Sequence, residues 1–132
     1  MNWSKAVVAG LAGGVVNAVY EFIMHGMVMR KTYEGLPEVF RQDANFMWFP
    51  VIAILMGLAG ALLFARTRGS WAAGAKGGMM FGVFMGVISF IAMYYSPLTV
   101  QGFPYYLTYC MGGIGFIEWV IFGAVVGSIY KA

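Results

Sequence analysis

The chain has 132 residues, of which 61% are hydrophobic and only 10% charged, and its mean hydropathy is +0.79. Ordinary soluble domains carry roughly a quarter charged residues, and a small one needs them because most of its residues lie near the surface. A soluble fold is therefore excluded, and the net charge of +3 calls for no nucleic-acid partner.

The first apolar run covers residues 6–29. It is too long for a cleavable signal peptide, has only Lys5 ahead of it and ends without a small-residue cleavage site, so it is expected to stay as a first span. On a helical wheel Gly10, Gly13, Gly14, Asn17, Glu21, Met24 and His25 share one face roughly 120° wide. Ala12, Val15, Val19, Phe22 and Ile23 occupy the other, which predicts polar residues toward protein and aliphatic ones toward lipid. A loop with Arg30, Lys31, Glu34, Glu38, Arg41 and Asp43 leads to the second span, 46–65, with small residues at Ala53, Gly57 and Ala61. Arg66, Arg68 and Lys76 flank the turn into the third span, 74–95, where Gly74, Gly78, Gly82 and Gly86 form a row at four-residue spacing. The segment Phe103–Tyr109 is expected to lie on the membrane surface, and the fourth span is expected over 111–130. Twenty residues at about 1.5 Å each match a hydrocarbon core of roughly 30 Å. The fold class predicted is an all-α integral membrane domain over 1–132 with four transmembrane helices.

Five of the eight Lys and Arg residues (Lys5, Arg66, Arg68, Lys76 and Lys131) share a side with both termini, against Arg30, Lys31 and Arg41 on the other. The positive-inside rule places both termini in the cytoplasm. Tryptophans and tyrosines mark both interfaces, most densely on the outer side. Offsets between Gly10 and Gly78 (68), Gly14 and Gly82 (68), and Gly57 and Gly123 (66) suggest a duplicated two-helix hairpin, with copies over 1–67 and 68–132; the abundance of glycine is the rival explanation. Lipid supplies no hydrophobic drive between helices, so small-residue rows are expected to bring backbones together. The rows Gly10–Gly14 and Gly74–Gly86 are expected to meet each other.

Two of the five acidic residues, Glu21 and Glu118, lie within spans. An ionisable group there marks a functional or structural site by default, because it costs a few kcal/mol or more if charged and unpaired. Both are expected roughly 10 to 12 Å below the outer interface, at matched depth, with His25 one turn above Glu21. Three roles compete for these residues. The first is a proton-sharing or cation-coordinating centre of Asn17, Glu21, His25 and Glu118. The second is a soft-metal site of His25, Met24, Met29, Cys110 and Met111, for which copper is the natural occupant; a single His leaves haem dependent on a Met or a second chain. The third is packing and local hydrogen bonding alone. If the Gly123–Gly127 face of span four packs inward, Glu118 is expected to point outward, toward another chain. The sequence requires no cofactor, and no phosphate loop, Ser/His/Asp set or paired-Cys motif supports an enzyme.

Tyr94-Tyr95-Ser96-Pro97 closing a helix, followed by Gly102-Phe103-Pro104-Tyr105-Tyr106, resembles small bacterial four-helix inner-membrane proteins grouped under domains of unknown function. The resemblance implies a bacterial cytoplasmic membrane and brings no catalytic residues. The leading expectation is a protein working by assembly in the lipid bilayer, as a homo-oligomer or with other membrane subunits. A small proton or metal-cation transporter or channel follows, and a haem- or copper-binding redox protein is third.

Overall fold

The computed structural model describes residues 1–131, and among them every regular element is helical. Helix α1 (Trp3–Ile23) continues through a π-helical turn at Met24–Val28 into the short α2 (Arg30–Glu34). Helix α3 spans Trp48–Arg66, α4 Gly74–Ala92, α5 Tyr95–Thr99 and α6 Tyr105–Ile129. Four segments are long and apolar enough to cross a bilayer: Trp3–Val28, Trp48–Arg66, Gly74–Thr99 and Tyr105–Ile129. The protein is a multi-pass membrane protein.

Antiparallel hairpins α1/α3 and α4/α6 form two halves, joined chiefly where α1 packs on α6. Each hairpin closes on glycine. A Cβ at Gly57 would lie 2.6 Å from the Gly10 carbonyl oxygen and 2.6 Å from the Gly14 Cα, and one at Gly14 would lie 2.7 Å from the Ile54 Cα. In the second hairpin a Cβ at Gly127 would sit 2.5 Å from the Gly74 carbonyl oxygen, and Gly78 and Gly123 are backed against each other's carbonyls more closely still. The expected meeting of the two glycine rows is thus corrected: each row packs inside its own hairpin, because α1 and α3, and α4 and α6, are the antiparallel neighbours that short loops bring together. Gly57 lies between Gly10 and Gly14 as Gly123 lies between Gly78 and Gly82, so the residues paired by the sequence offsets make equivalent contacts. Gly74 has a separate duty, taking φ +74° at the start of α4, a left-handed conformation that glycine adopts without steric cost.

Helix α6 starts six residues before the expected span. Pro104 adopts an extended conformation (φ −70°, ψ 139°) just ahead of it, and its fixed φ suits a helix entry. Leu107 and Thr108 are fully buried, so the 105–109 stretch is a packed helical turn and the surface-lying segment is corrected. Both faces of α6 are used: Gly123 and Gly127 meet α4, while Phe122 and Val126 meet Gly13 of α1. Val15, Val19, Phe22 and Ile23 are exposed, as the wheel predicts for the lipid-facing side of α1.

One end of the bundle gathers both termini and the middle turn. The Asn2 backbone N–H donates to the Tyr130 hydroxyl (2.8 Å), and the Arg68 guanidinium donates to the carbonyls of Trp71 (2.8 Å) and Lys131 (3.4 Å). Above this end Phe64, Phe122, Val126, Ala6 and Ala9 are completely buried. Edge-on aromatic pairs Phe64–Phe81 (5.4 Å) and Trp119–Phe122 (5.3 Å) are the favoured ring geometry. This half of the interior is wholly apolar.

Candidate functional site

The polar residues of α1 meet α6 in the middle of the bundle. Gly13 against Phe122 and the Tyr20 hydroxyl donating to the Ile114 carbonyl (2.9 Å) set an antiparallel register that places Asn17 level with Glu118. Glu21 lies one turn nearer the loop-bearing end. Helical side chains lean toward their own N-terminus, so Glu21 leans down and Glu118 leans up, which brings the two carboxyls close to each other. Glu118 is only 9% exposed.

Two expectations are corrected here. Glu118 faces inward, because α6 packs on α4 with its glycine face and on α1 with the face that carries the carboxyl. The two acids are also not at matched depth. With α6 beginning at Tyr105, Glu118 lies about 20 Å along the helix from its loop-bearing end at ~1.5 Å per residue, and the two side chains span the difference.

Asn17 is 3% exposed and its Oδ1 atom has no hydrogen-bond partner; Thr108, fully buried nearer the loop-bearing end, likewise has an unpartnered Oγ1. Buried polar atoms of this kind normally hold a partner such as water. Tyr20 stands within electrostatic range of Glu118, and His25 within range of Glu21. All four residues predicted for the polar centre thus line the α1/α6 contact or the turn directly above it.

His25 sits in the π-helical turn, whose Met29 N–H bonds back to the Met24 carbonyl (2.9 Å). Such turns occur disproportionately at functional sites because the extra residue redirects side chains. Its Nδ1 is hydrogen-bonded to the Tyr33 hydroxyl, and the two rings stack with centroids 5.8 Å apart. When Nδ1 accepts from the phenol, the ring proton of the neutral imidazole resides on Nε2. Burial, reinforced by the nearby Cys110 thiol, pushes the Tyr33 phenol up to about 12, so it stays protonated at neutral pH. Tyr33 packs on Phe40 (4.6 Å) and Phe40 on Phe103 (6.0 Å), tying together the two loops at the end opposite the termini, over the polar turn.

The soft-metal candidates lie around the same π-turn and the start of α6. Cys110 is exposed and borders Tyr33, and the His25 Nδ1 is occupied by that same phenol. Met24 and Met29 are the two ends of the π-turn, and Met111 follows Cys110 on α6. Among the described residues no three His, Cys, Asp or Glu side chains are grouped to hold a metal ion.

Tyr33 is the residue that sequence reading left out of the site. Tyr33 belongs by composition to the aromatic belt, and its pairing with His25 depends on the chain turning through Met29–Arg30. Tyr20 neighbours Glu21 in sequence, yet its hydroxyl bonds the Ile114 carbonyl of α6.

No protein-family model, curated protein or solved structure matches the chain.

Proposed function

We propose that this membrane protein takes up and releases a proton at the Glu21–Glu118 pair and serves, without enzymatic chemistry, as a small proton-handling transporter or channel. The observation carrying this reading is the close approach of two carboxyl groups in the bundle interior, where Glu118 is buried. Two ionised carboxylates side by side repel strongly in a medium of low dielectric, and sharing one proton relieves that repulsion. One bound proton is therefore an integral part of the site. Polar groups lead from it in one direction only, through His25 and Tyr33 to the loop-bearing face, while Phe122, Val126 and Phe64 close it toward the termini. This arrangement supports proton access from the loop side. The five cations of the terminal face support a cytoplasmic location for that face, in a bacterial cytoplasmic membrane.

In proteoliposomes with a trapped pH-sensitive dye and an imposed pH gradient, the wild type is expected to dissipate the gradient at least about a hundredfold faster than Glu118→Gln or Glu21→Gln, the lower end of the scale for losing one positioned proton-transfer group. Equal rates in all three would overturn the reading.

A second reading, assembly as a homo-oligomer or an accessory subunit, draws on a different observation. Helices α3 and α4 approach each other at Phe64 and Phe81 without extensive packing, and both carry exposed large apolar residues, among them Leu55, Met56, Phe84 and Ile88. Mass determination in native membrane extracts decides it: a multiple of the 14.4 kDa chain, or a co-purifying subunit, is the outcome it requires.

A further inference from the structure

At the terminal end, the turn between the two hairpins lies directly on α4. A Cβ at Gly77 would collide with the backbone of Ala72, so the Ser70–Ala73 segment rests on the helix where that side chain is missing. Trp71 is held upright there. Its Nε1–H donates to the Thr67 hydroxyl (2.9 Å), and its ring packs edge-on against Phe81 (5.7 Å) and tilted against Phe84 (5.8 Å). Between this wall and the helix runs a groove of about 450 Å³, lined by Ser70, Trp71, Lys76, Gly77, Met80 and Phe84 among others. Lys76, Met80 and Phe84 follow one another at four-residue intervals, so they form one stripe along α4. The stripe begins with a cation at the membrane interface and continues about 12 Å toward the bilayer centre as exposed apolar surface.

The charge around the groove is one-sided. Lys5, Arg66, Arg68, Lys76 and Lys131 belong to this end, and no acidic side chain does. The ion pairs of the described residues, Arg30–Glu34 and Arg41–Asp43, are both on the opposite face. Arg68 is spent on the Trp71 and Lys131 carbonyls, which leaves Lys76 as the exposed cation at the groove.

We infer that this groove is a binding site for one anionic phospholipid, whose phosphate rests on Lys76 with the Ser70 hydroxyl beside it, and whose acyl chain follows Met80 and Phe84 under the Trp71 wall. A lipid is the occupant that matches a cation and an apolar strip in this order and spacing, and the charge imbalance selects an anionic one. The site is separate from the carboxyl pair, so it stands or falls independently of the proton-handling reading.

The test uses the full chain reconstituted in bilayers with equal parts phosphatidylglycerol and phosphatidylcholine, extracted in mild detergent and weighed by native mass spectrometry. The wild type is expected to retain one phosphatidylglycerol in preference to phosphatidylcholine. Lys76→Gln lowers that preference about fivefold, the effect of removing one interfacial cation. Met80→Trp fills the groove without changing charge and lowers retention of both lipids, while Lys5→Gln retains the wild-type preference. Far-ultraviolet circular dichroism confirms that each variant is folded. The proposal is overturned if the wild type shows no preference, if Lys5→Gln loses as much as Lys76→Gln, or if Met80→Trp holds phosphatidylglycerol as the wild type does. Displacement by inorganic phosphate alone, or a lipid-free dimer, would likewise assign the groove to a different occupant.

Discussion

Replacing Gly57 by alanine adds one methyl group at the closest approach of α1 and α3. That carbon would stand 2.6 Å from the Gly10 oxygen, 2.6 Å from the Gly14 Cα and 2.7 Å from the Gly14 nitrogen, all backbone atoms, whereas ordinary contact begins at 3.4 Å. The helices must therefore part by about 0.8 Å, a gap that forfeits a quarter to a half of each dispersion contact across the crossing. With on the order of 30 atom contacts at ~0.15 kcal/mol each, the loss is about 1 to 2 kcal/mol, within the range of ordinary overpacking. Alanine also gains up to about 1 kcal/mol over glycine in helix propensity, which would mask part of the effect. Gly113→Ala provides the reference, because a Cβ there meets nothing within 4 Å and carries the propensity gain alone. Unfolding both variants with sodium dodecyl sulfate in mixed micelles, followed by circular dichroism, is expected to place Gly57→Ala about 1 to 2 kcal/mol below Gly113→Ala. Equal stabilities would refute the argument that backbone contact at glycine holds the first hairpin together.

Phe122→Ala empties a fully buried ring position between Gly13 and Gly60 and is expected to cost about 3 to 5 kcal/mol; the same variant should speed proton entry from the terminal side in the dye assay, and unchanged flux would sink the role of Phe122 as a seal. Tyr33 should ionise near 12 instead of the ordinary 10, seen as the component missing from the alkaline phenolate absorbance of Tyr33→Phe; a missing component titrating at 10 would contradict its burial. Because the fold favours the neutral phenol, its contribution is intact below pH 10 and is lost as pH rises to about 12, at most about 3 kcal/mol for two units.

Hydropathy and the wheel of α1 made the four spans and their lipid-facing side legible, since both depend only on local composition. Which glycine row meets which helix was not legible. A four-residue spacing serves any close neighbour equally, and the choice among neighbours rests on loop length and the shape of the whole bundle. Helix α6 illustrates the same limit: a carboxyl opposite a glycine face looks outward until a second helix is known to cover it. The early start of α6 had one signal, Pro104, outweighed by a tyrosine-rich stretch whose composition also suits an interfacial loop. Asn17, Glu21, His25 and Glu118 were picked out because charge and polarity within a span are conspicuous. Tyr33 was not, because aromatic residues are ordinary at a membrane boundary and its bond to His25 depends on a chain reversal.

The contact between α1 and α6 joins two helices made far apart in time, with consequences for biogenesis. Glu21 and Glu118 are 97 positions apart, so at ~5 to 20 residues per second the ribosome needs about 5 to 20 seconds to deliver the second carboxyl after the first. Until then the nascent α1/α3 hairpin, already closed on its glycines, carries Asn17 and Glu21 on a face that nothing covers. Insertion of the fourth helix is thus the step that removes a polar stripe from lipid. A ribosome stalled ahead of Tyr105 would leave in the membrane a half-protein that is well packed within itself and chemically conspicuous along one side.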